Sequence, residues 1–478
     1  VSRRSRDVGR NNVLIPLAAA ARPDAIVATG RSDYPNQVNN VLCFPFVFRG
    51  ALDVGATEIN EAMKIAAAES IADLARVEVS EEVADAYAES ATAFGSSYII
   101  PKPFDPRLIL EIAPAVAKAA MESGVATKPI ADFDAYRRDL ERYVYRSGQL
   151  MRPVFARARS QGRRIAYSEG DDPRVLRAVQ TVVDERLARP VLIGRRAVIE
   201  ETIRSLSLRL VIDRDIEVFD PEADRSAADP LADAYARLVE RRGVPPSGAR
   251  RRVFNRPTVT AAMLLNQGLV DGALVGGGGD WWKHFSYALP LIPRRPGVDR
   301  IYGLSALILP RGTLFICDTH VNVDPTPEQI TEATLLAAET VRNFGVTPQA
   351  ALLSHSSFGS SNSPAARKMR QALALIRARD PDLVVDGEMH GDAALSRTVR
   401  ARYVAESPLK GSANLLVMPS LDAANIALTL LHAGAADALQ VGPILLGMGR
   451  PLHVLPPTIT ARGIVNMTAL AATEKTYA

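Results

Sequence analysis

Short apolar segments alternate with helix-like segments throughout the chain from about residue 164 onward. Continuous apolar strands separated by helices are typical of a sheet that is covered by helices on both faces. The sequence therefore predicts an α/β fold with a parallel or mixed sheet. The predicted strands are Arg164–Ser168, Pro190–Gly194, Ile216–Phe219, Gly272–Val275, Ala306–Leu309, Thr313–Cys317, Ala351–Leu353, Leu383–Val385 and Leu415–Met418.

The stretch Leu415–Asn466 shows this alternation most clearly. Its first strand leads into a helix, and a second short strand, Ala438–Val441, precedes a predicted loop of Gly442, Pro443 and Ile444. Ligands of parallel α/β sheets bind outside the carboxyl ends of the strands. We therefore expect this loop to line a binding site.

Composition narrows the class of protein. The chain has 478 residues, enough for two to four domains, and a net charge of +4 with both signs interspersed. It lacks a basic stripe with interleaved aromatics, so no nucleic-acid partner is expected. It also lacks an apolar run of about 18 residues and a targeting pattern, so we expect a cytoplasmic protein with no membrane partner. Cys43 and Cys317 lie in apolar surroundings, which fits buried thiols.

The first part of the chain is less regular. We predict a buried strand at Asp24–Gly30, then a helix capped by Thr57 and another helix starting near Ser80. Asp105 is expected to cap a further helix whose first residue is Pro106. Residues 131–150 are expected to form a connecting helix.

The segments ATGRSDYPNQVNNVLCFPFVFRGALDVGATEINEAM and IIPKPFDPRL resemble the carboxyl part of a malic enzyme. The resemblance is to the bacterial NADP-dependent hybrid type, in which a malic enzyme is fused to a phosphotransacetylase-like domain. It implies that residues 1–130 are a remnant of the NAD(P)-binding domain, with an atypical start at 1–21. It also places Asn39 and Asn40 beside bound malate, since amides both donate and accept hydrogen bonds. Alternatively, the two asparagines cap the following helix.

The same resemblance implies what this chain lacks. In the family, the tyrosine and lysine that act as acid and base lie upstream of this region. The carboxylates that hold Mg²⁺ or Mn²⁺ and the glycine-rich NADP loop also lie upstream. None has a counterpart here, so we expect no catalytic and no metal-ligating residues. NADP and the metal are then cofactors of the intact family member.

The second part of the chain resembles phosphotransacetylases, through RIAYSEGDDPRVLRA, LFICDTHVN, LLSHSSFGSSNSPAARKMRQA, VVDGEMHGDAA and VGPILLGM. The resemblance implies a two-subdomain α/β fold over 151–478. Subdomain one is placed at 151–292 plus 442–478 and subdomain two at 293–441. The expected pocket for acetyl-CoA or phosphate contains Ser354, Ser356, Asn362, Gly442, Pro443 and Ile444. The hydroxyl-rich loop that follows Leu353 also fits a capped turn.

Two other segments leave alternatives open. The glycine run Gly276–Asp280 suits either close approach to a phosphate or a flexible turn. The carboxylates Asp386, Glu388 and Asp392 suit either a metal or acid–base cluster or hydrogen bonding to turn amides. The histidines show no zinc-ligand spacing.

One departure from the phosphotransacetylase pattern affects the chemistry. The family has an adjacent serine and arginine, then an aspartate that supplies the base; these places hold Pro456, Pro457 and Gly463. A positioned base is worth roughly 10²–10⁴-fold in rate. His453 is the nearest titrating side chain, and it lies out of register.

Three functions follow. The first is an NADP-dependent malic enzyme by family, oxidising malate to pyruvate and CO₂, whose phosphotransacetylase-like domain binds acetyl-CoA as an allosteric inhibitor and mediates homo-oligomer assembly. The second is a working phosphate acetyltransferase, with His453 or Asp392 as base. The third is a non-catalytic oligomerisation or sensing module. Acetyl-CoA binding without acyl transfer separates the first from the second.

Overall fold

In a computed structural model the chain forms two compact units, Val1–Tyr145 and Arg146–Ala478. The backbone is described for residues 22, 24–30, 34–77, 94–102, 105, 107–144, 146–309, 312–435 and 438–477. Side chains are not described at 138, 141–144 and 146–149. The helix expected from Ser80, the atypical segment 1–21 and the predicted first helical residue Pro106 lie outside these ranges.

Unit one is helical where it is described. Helices α1 to α3 pack around a core that includes Val54, Met63 and Ile112, and α4 follows α3. The predicted strand Asp24–Gly30 is wrong as a regular strand, because its only pairing in the described residues is an isolated bridge between Thr29 and Gln37. The helices of this unit are α1 (Phe44–Asp53), α2 (Glu61–Arg76), α3 (Leu108–Glu122) and α4 (Phe133–Val144).

The caps of two helices in unit one differ from the prediction. Asn60, rather than Thr57, caps α2, and its side chain accepts a hydrogen bond from the amide of Met63. Helix α3 begins at Leu108, later than predicted, because the buried carboxylate of Asp105 instead binds the amide and guanidinium of Arg107.

Unit two contains two sheets. The five-stranded sheet has the order β11-β4-β1-β2-β3, and all its pairs are parallel. The six-stranded sheet has the order β10-β5-β6-β9-β7-β8, and β5 is antiparallel to both its neighbours. The predicted mixed α/β fold is confirmed. The strands are β1 (Arg164–Tyr167), β2 (Arg189–Ile193), β3 (Glu217–Phe219), β4 (Gly272–Gly276), β5 (Tyr302–Leu309), β6 (Gly312–Cys317), β7 (Gln349–Leu353), β8 (Val384–Met389), β9 (Leu415–Val417), β10 (Leu439–Leu446) and β11 (Leu452–Leu455).

Helices cover both sheets of unit two. The connecting helix expected at 131–150 stays a prediction: the structure describes α4 up to Val144 and α5 from Arg146, and residue 145 lies outside the described ranges. The helices of unit two are α5 (Arg146–Gln161), α6 (Pro173–Asp184), α7 (Arg196–Ser205), α8 (Arg225–Val239), α9 (Pro246–Asn255), α10 (Pro257–Asn266), α11 (Trp281–Ala288), α12 (Pro327–Asn343), α13 (Pro364–Arg379), α14 (Gly391–Leu395), α15 (Arg397–Arg400), α16 (Leu421–Gly434) and α17 (Ala461–Thr473).

Gly442, Pro443 and Ile444 do not form the predicted loop. They are buried inside β10, which pairs with β5 on both sides of a register shift between Val441 and Ile444. Pro443 has no N–H to donate to the ladder, and the irregularity lets the strand continue past it. The predicted subdomain boundary between 441 and 442 therefore falls within a strand.

One apolar cluster joins the two sheets of unit two. It contains Ile165 and Leu274 from the five-stranded sheet and Phe315 and Leu352 from the six-stranded sheet, all almost fully buried. The apolar interior is therefore shared between the two sheets. Across the described ranges, the structure contains no helix long and apolar enough to cross a membrane.

Candidate ligand-binding site

The carboxyl edge of the six-stranded sheet gathers most of the polar residues singled out by sequence. Strands β8 and β9 both pair with β7 in parallel, so their carboxyl ends lie at the same edge. The loop 354–362 follows β7 at this edge and His390 follows β8. The Nε2 atom of His390 lies 2.7 Å from the carbonyl oxygen of His355, which ties the two loops together.

A buried carboxylate organises the loop after β7. Oε1 of Glu388 accepts hydrogen bonds from Oγ of Ser356 at 2.6 Å, the amide of Gly359 at 3.0 Å and Nη1 of Arg370 at 2.8 Å. Its other oxygen, Oε2, is buried and has no hydrogen-bond partner among the residues that the structure describes. Burial acts to raise the pKa of Glu388, but the hydrogen bonds from Ser356, Gly359 and Arg370 outweigh it and lower that pKa.

The structure brings Ser354, Ser356 and Asn362 together around this carboxylate. Ser354 Oγ accepts the amide of Ser356 at 3.2 Å, and Asn362 Oδ1 accepts Nη2 of Arg370 at 3.2 Å. Ser356 is fully buried, whereas Asn362 lies in the more open part of the loop. The capped-turn alternative therefore describes the loop's internal bonding. Contact of these residues with a ligand stays a prediction.

The two halves of the predicted pocket lie apart. Strands β5, β6 and β9 separate β10, which holds Gly442, Pro443 and Ile444, from β7. At about 4.8 Å per strand the two positions are roughly 19 Å apart across the sheet. A single phosphate ion is therefore too small to contact both the loop after β7 and the Gly442–Ile444 segment, and only an extended ligand spans the two.

Sequence reasoning missed a second polar cluster, at the end of β6. The carboxylate of the buried Asp318 accepts the amides of Gly303, His320 and Asn322 at 2.9–3.0 Å. Burial lowers the pKa of His320 to about 4, so this imidazole is neutral at physiological pH. The signal in the sequence was the polar run that directly follows the apolar strand β6.

At the carboxyl edge of the five-stranded sheet, Arg174 connects three segments. It pairs with Asp172 at 2.8 Å and donates hydrogen bonds to the carbonyls of Gly277 at 2.6 Å and Pro457 at 2.8 Å. The glycine run is therefore held on one side by this guanidinium. Burial raises the pKa of the neighbouring Glu169 to about 7, although a hydrogen bond from Ser168 acts in the opposite direction.

The asparagines predicted to bind malate lie in unit one. Asn39 Oδ1 accepts the amide of Val41 at 3.0 Å, so Asn39 caps the short 3₁₀ helix Asn40–Leu42 as the alternative proposed. Asn40 is exposed. Their contact with malate stays a prediction. The buried Asn36 was missed, although its amide group binds the carbonyl of Ser96 at 2.8 Å and the amide of Ile99 at 2.8 Å.

Residues 149–472 match the family model described as phosphate acetyl/butaryl transferase. The chain belongs to this family. It is 30% identical over 332 residues to a phosphate acetyltransferase from Clostridium acetobutylicum, which covers 68% of this chain and 98% of that protein. A solved phosphotransacetylase from Streptococcus pyogenes superposes with a TM-score of 0.61 at 27% identity, covering 67% of this chain and 98% of that one.

The similarity to a further class of protein extends beyond that domain. The NADP-dependent malic enzyme of Salmonella typhimurium is 52% identical over 462 residues, which is 97% of this chain and 61% of the relative. The chain therefore spans about three fifths of the length of this curated relative. The predicted resemblance to a hybrid of malic enzyme and phosphotransacetylase is confirmed.

The two residues suggested as substitute bases lie in different surroundings, one buried and one exposed. His453 is fully buried in β11; its Nδ1 accepts the amide of Leu445 at 3.2 Å, and its Nε2 lies 3.2 Å from Glu474 Oε1. Asp392 Oδ1 accepts the amide of Ala393 at 2.8 Å. Among the residues that the structure describes, no group of three or more His, Cys, Asp or Glu could hold a metal ion.

Gly463 lies in the first turn of α17, where its amide binds Oγ1 of the capping Thr460 at 3.1 Å. A Cβ atom at this position would lie 2.7 Å from Cγ1 of Ile459, closer than side chains pack. The position at which the resemblance places the family's aspartate thus has no room for a side chain unless Ile459 moves.

Proposed function

We propose that this chain is the regulatory part of an NADP-dependent malic enzyme of the hybrid type. In the whole protein, malate is oxidised to pyruvate and CO₂. The phosphotransacetylase-like unit binds acetyl-CoA and inhibits that reaction without transferring the acetyl group. The similarity to malic enzymes over 97% of the chain carries this proposal. The whole protein is a cytoplasmic homo-oligomer in this proposal.

The absence of a base supports binding without turnover. Acetyl transfer between acetyl phosphate and coenzyme A requires deprotonation of the coenzyme A thiol. The place of the family's aspartate is filled by Gly463, the buried His453 contacts Leu445 and Glu474, and Asp392 binds an amide of its own helix. His453 is shut away from solvent and Asp392 lies out of the register of the family's aspartate, so neither stands in for a positioned base, which contributes roughly 10²–10⁴-fold.

The ligand is extended, which suits the spacing of the proposed contacts. Ser354, Ser356 and Asn362 are the proposed contacts at one end of the edge, and the Gly442–Ile444 segment of β10, which is buried in the structure, is the proposed contact at the other. Acetyl-CoA is long enough to reach both, whereas phosphate alone is not. We propose the division of unit two into 151–292 plus 442–478 and 293–441, with its second boundary moved to the end of β10 at Leu446.

In this proposal the malic enzyme chemistry belongs to the whole protein. NADP and Mg²⁺ or Mn²⁺ supply the hydride acceptor and the Lewis acid there. The described residues of this chain contain no three-ligand metal group, so they do not fit the metal, and no catalytic step is assigned to them. Asn39 and Asn40 are proposed to contact malate only.

Calorimetric titration of acetyl-CoA, with an acetyl phosphate plus coenzyme A assay on the same sample, tests the proposal. Binding without acyl transfer is expected. Asn362→Ala should weaken binding, while Ser412→Ala, which precedes β9 at the opposite edge of the sheet, should not. Acyl transfer would make the chain a phosphate acetyltransferase, the activity named for the Clostridium relative. Neither binding nor transfer would leave an oligomerisation module.

A further inference from the structure

Two chain segments link the two sheets of unit two. Residues 289–301 run from α11 to β5, and residues 447–451 return from β10 to β11. The segments bind each other through the amide of Gly449 and the carbonyl of Pro293 at 2.7 Å, and through the amide of Arg295 and the carbonyl of Gly447 at 2.9 Å. This paired link is where the two parts of unit two join.

A cavity of about 140 Å³ lies beside this paired link. Its walls come from elements of both parts of the unit. They include Arg157 of α5, Glu339 of α12, Leu446 at the end of β10, and Glu474 and Tyr477 of the segment after α17. A space of this volume holds several water molecules, so it is large enough for a small ion.

The charges around the cavity are unevenly matched. Glu339 binds Nη1 of Arg295 at 2.6 Å, and Glu474 lies 3.2 Å from the ring nitrogen of His453. Glu339 is therefore paired with a guanidinium, and Glu474 faces the buried His453. Arg157 and Lys475 have no carboxylate partner in the described part of the chain, and Arg157 uses one N–H on the carbonyl of Asn343 at 2.6 Å.

Arg295 is itself held in place at this cavity. Its guanidinium stacks on the ring of Tyr477 with 4.6 Å between the guanidinium carbon and the ring centroid. The amide of Tyr477 donates a hydrogen bond to the carbonyl of Gly449 at 2.7 Å, so the segment after α17 is held against residues 447–451 of the paired link. One wall of the cavity is thus held in place, and the lining as a whole carries three cationic side chains against two carboxylates.

We propose that this cavity binds a small oxyanion of the size and charge of phosphate. A guanidinium and an ammonium are the side chains that bind phosphate in proteins, the first as a fork and the second as a point charge. The site is separate from the acetyl-CoA site at the strand ends. Because the walls of the cavity belong to both parts of unit two, the bound anion holds the two segments of the paired link in one arrangement.

The test is calorimetric titration of inorganic phosphate into the full chain and into Arg157→Ala/Lys475→Ala. The double variant should bind phosphate about tenfold more weakly or worse, as expected when two charged contacts are lost. Arg152→Ala/Arg379→Ala is the matched control, because it removes two exposed arginines outside the cavity. All four side chains are exposed, but the two control arginines do not line the cavity, so the control's affinity should stay within about twofold of the unchanged chain because salt screens exposed charges at a distance.

Hydrogen exchange supplies a second readout that does not depend on acetyl-CoA. Phosphate should slow exchange in 289–301 and 447–451 of the unchanged chain and not of Arg157→Ala/Lys475→Ala. Absence of phosphate binding would overturn the proposal, as would equal affinity in both double variants. Loss of phosphate binding in Asn362→Ala alone would place the anion at the strand ends instead, and also overturn it. Melting temperatures of all variants establish that they are folded.

Discussion

At position 463, where the resemblance places the family's aspartate, packing limits which side chains the chain can hold. Gly463→Asp places a Cβ atom against Cγ1 of Ile459, which would lie 2.7 Å away. Overpacking of this kind costs about 1–3 kcal/mol of unfolding free energy. We therefore expect Gly463→Asp to lower the urea midpoint and to leave the acetyl phosphate plus coenzyme A assay at background.

The control for this substitution is Ile459→Ala/Gly463→Asp. Removing the isoleucine side chain relieves the overlap, so the double variant should be more stable than Ile459→Ala and Gly463→Asp measured separately would predict by addition. Strict additivity would show that the two positions do not interact. Acyl transfer by Gly463→Asp alone would show that the aspartate is accommodated without repacking.

Glu388 is expected to stabilise unit two through its charge. Its folded-state pKa is lowered, so the folded state binds fewer protons than the unfolded state. Its contribution is therefore present above the ordinary carboxyl range and is lost as the pH falls through the folded pKa. Glu388→Gln should lower the unfolding free energy by about 1.5–3 kcal/mol near neutral pH.

The pH dependence separates charge from packing at Glu388. Urea unfolding between about pH 7 and pH 3 should show the gap between the unchanged chain and Glu388→Gln closing in acid. The exposed Glu406 supplies the control, Glu406→Gln, for which little change is expected. If the difference in unfolding free energy between the unchanged chain and Glu388→Gln does not change with pH, the glutamine destabilises the fold through its packing and not through the lost charge.

The folded-state pKa of Glu169 is shifted in the opposite direction to that of Glu388. Burial raises its pKa to about 7, so the folded state binds a proton that the unfolded state has already released. Stability therefore falls as the pH rises between the ordinary carboxyl range and about 7. Glu169→Gln removes this loss. Above about pH 7, the unfolding free energy of the variant should therefore exceed that of the unchanged chain by about 1–3 kcal/mol. Asp171→Asn, at an exposed neighbour whose charge affects Glu169 only weakly, should change the pH profile little.

At the scale of elements, β10 depends on a glycine. Gly442 has a φ of +127°, and a Cβ there would lie 2.9 Å from the carbonyl oxygen of Leu304 in β5. Gly442→Ala should lower the unfolding free energy by about 1–3 kcal/mol or more, because strain and overlap add. Urea unfolding measures this. Gly434→Ala is the control: it lies at the end of α16 with nothing within 4 Å and should be neutral or stabilising.

The strands predicted from apolar runs are largely confirmed. Predicted Arg164–Ser168 and Pro190–Gly194 correspond to β1 and β2 within one residue at each end. Such runs succeed because a strand buried on both faces needs continuous apolar side chains. The segment Gly442–Ile444 was read as a loop because glycine and proline usually end strands. A strand that continues through a bulge depends on its partner β5, which a local pattern does not reveal.

The candidate site shows the same division between local and distant information. Ser354, Ser356 and Asn362 were found together because they follow one strand. Their separation from Gly442 reflects strand order, which no local pattern in the sequence contains. The hydrogen bond from Ser356 to Glu388 was missed for the same reason, since the loop after β7 and strand β8 are separate elements of the chain. Asp318 was missed because its role is to hold amides, and this produces no catalytic pattern.

At the scale of the whole molecule, the two units should differ in local stability. In unit two both sheets share one apolar cluster, and each strand has a ladder partner. In unit one the described residues form helices and isolated bridges. Helix α1 exposes Phe44, Phe48 and Leu52, with exposed fractions of 64%, 41% and 73%. Apolar side chains left in water contribute nothing to the free energy of folding.

Amide hydrogen exchange on the full chain tests this difference. Exchange reports the free energy of local opening, which is smallest where few apolar contacts are buried. We expect α1 and α2 to exchange faster than β1, β4 and β7. Acetyl-CoA should slow exchange in unit two, since a ligand stabilises only the state that it binds. Equal protection of α1 and β7 without ligand would show that unit one is locally as stable as unit two. It would also show that the exposure of Phe44, Phe48 and Leu52 does not lower the local stability of α1.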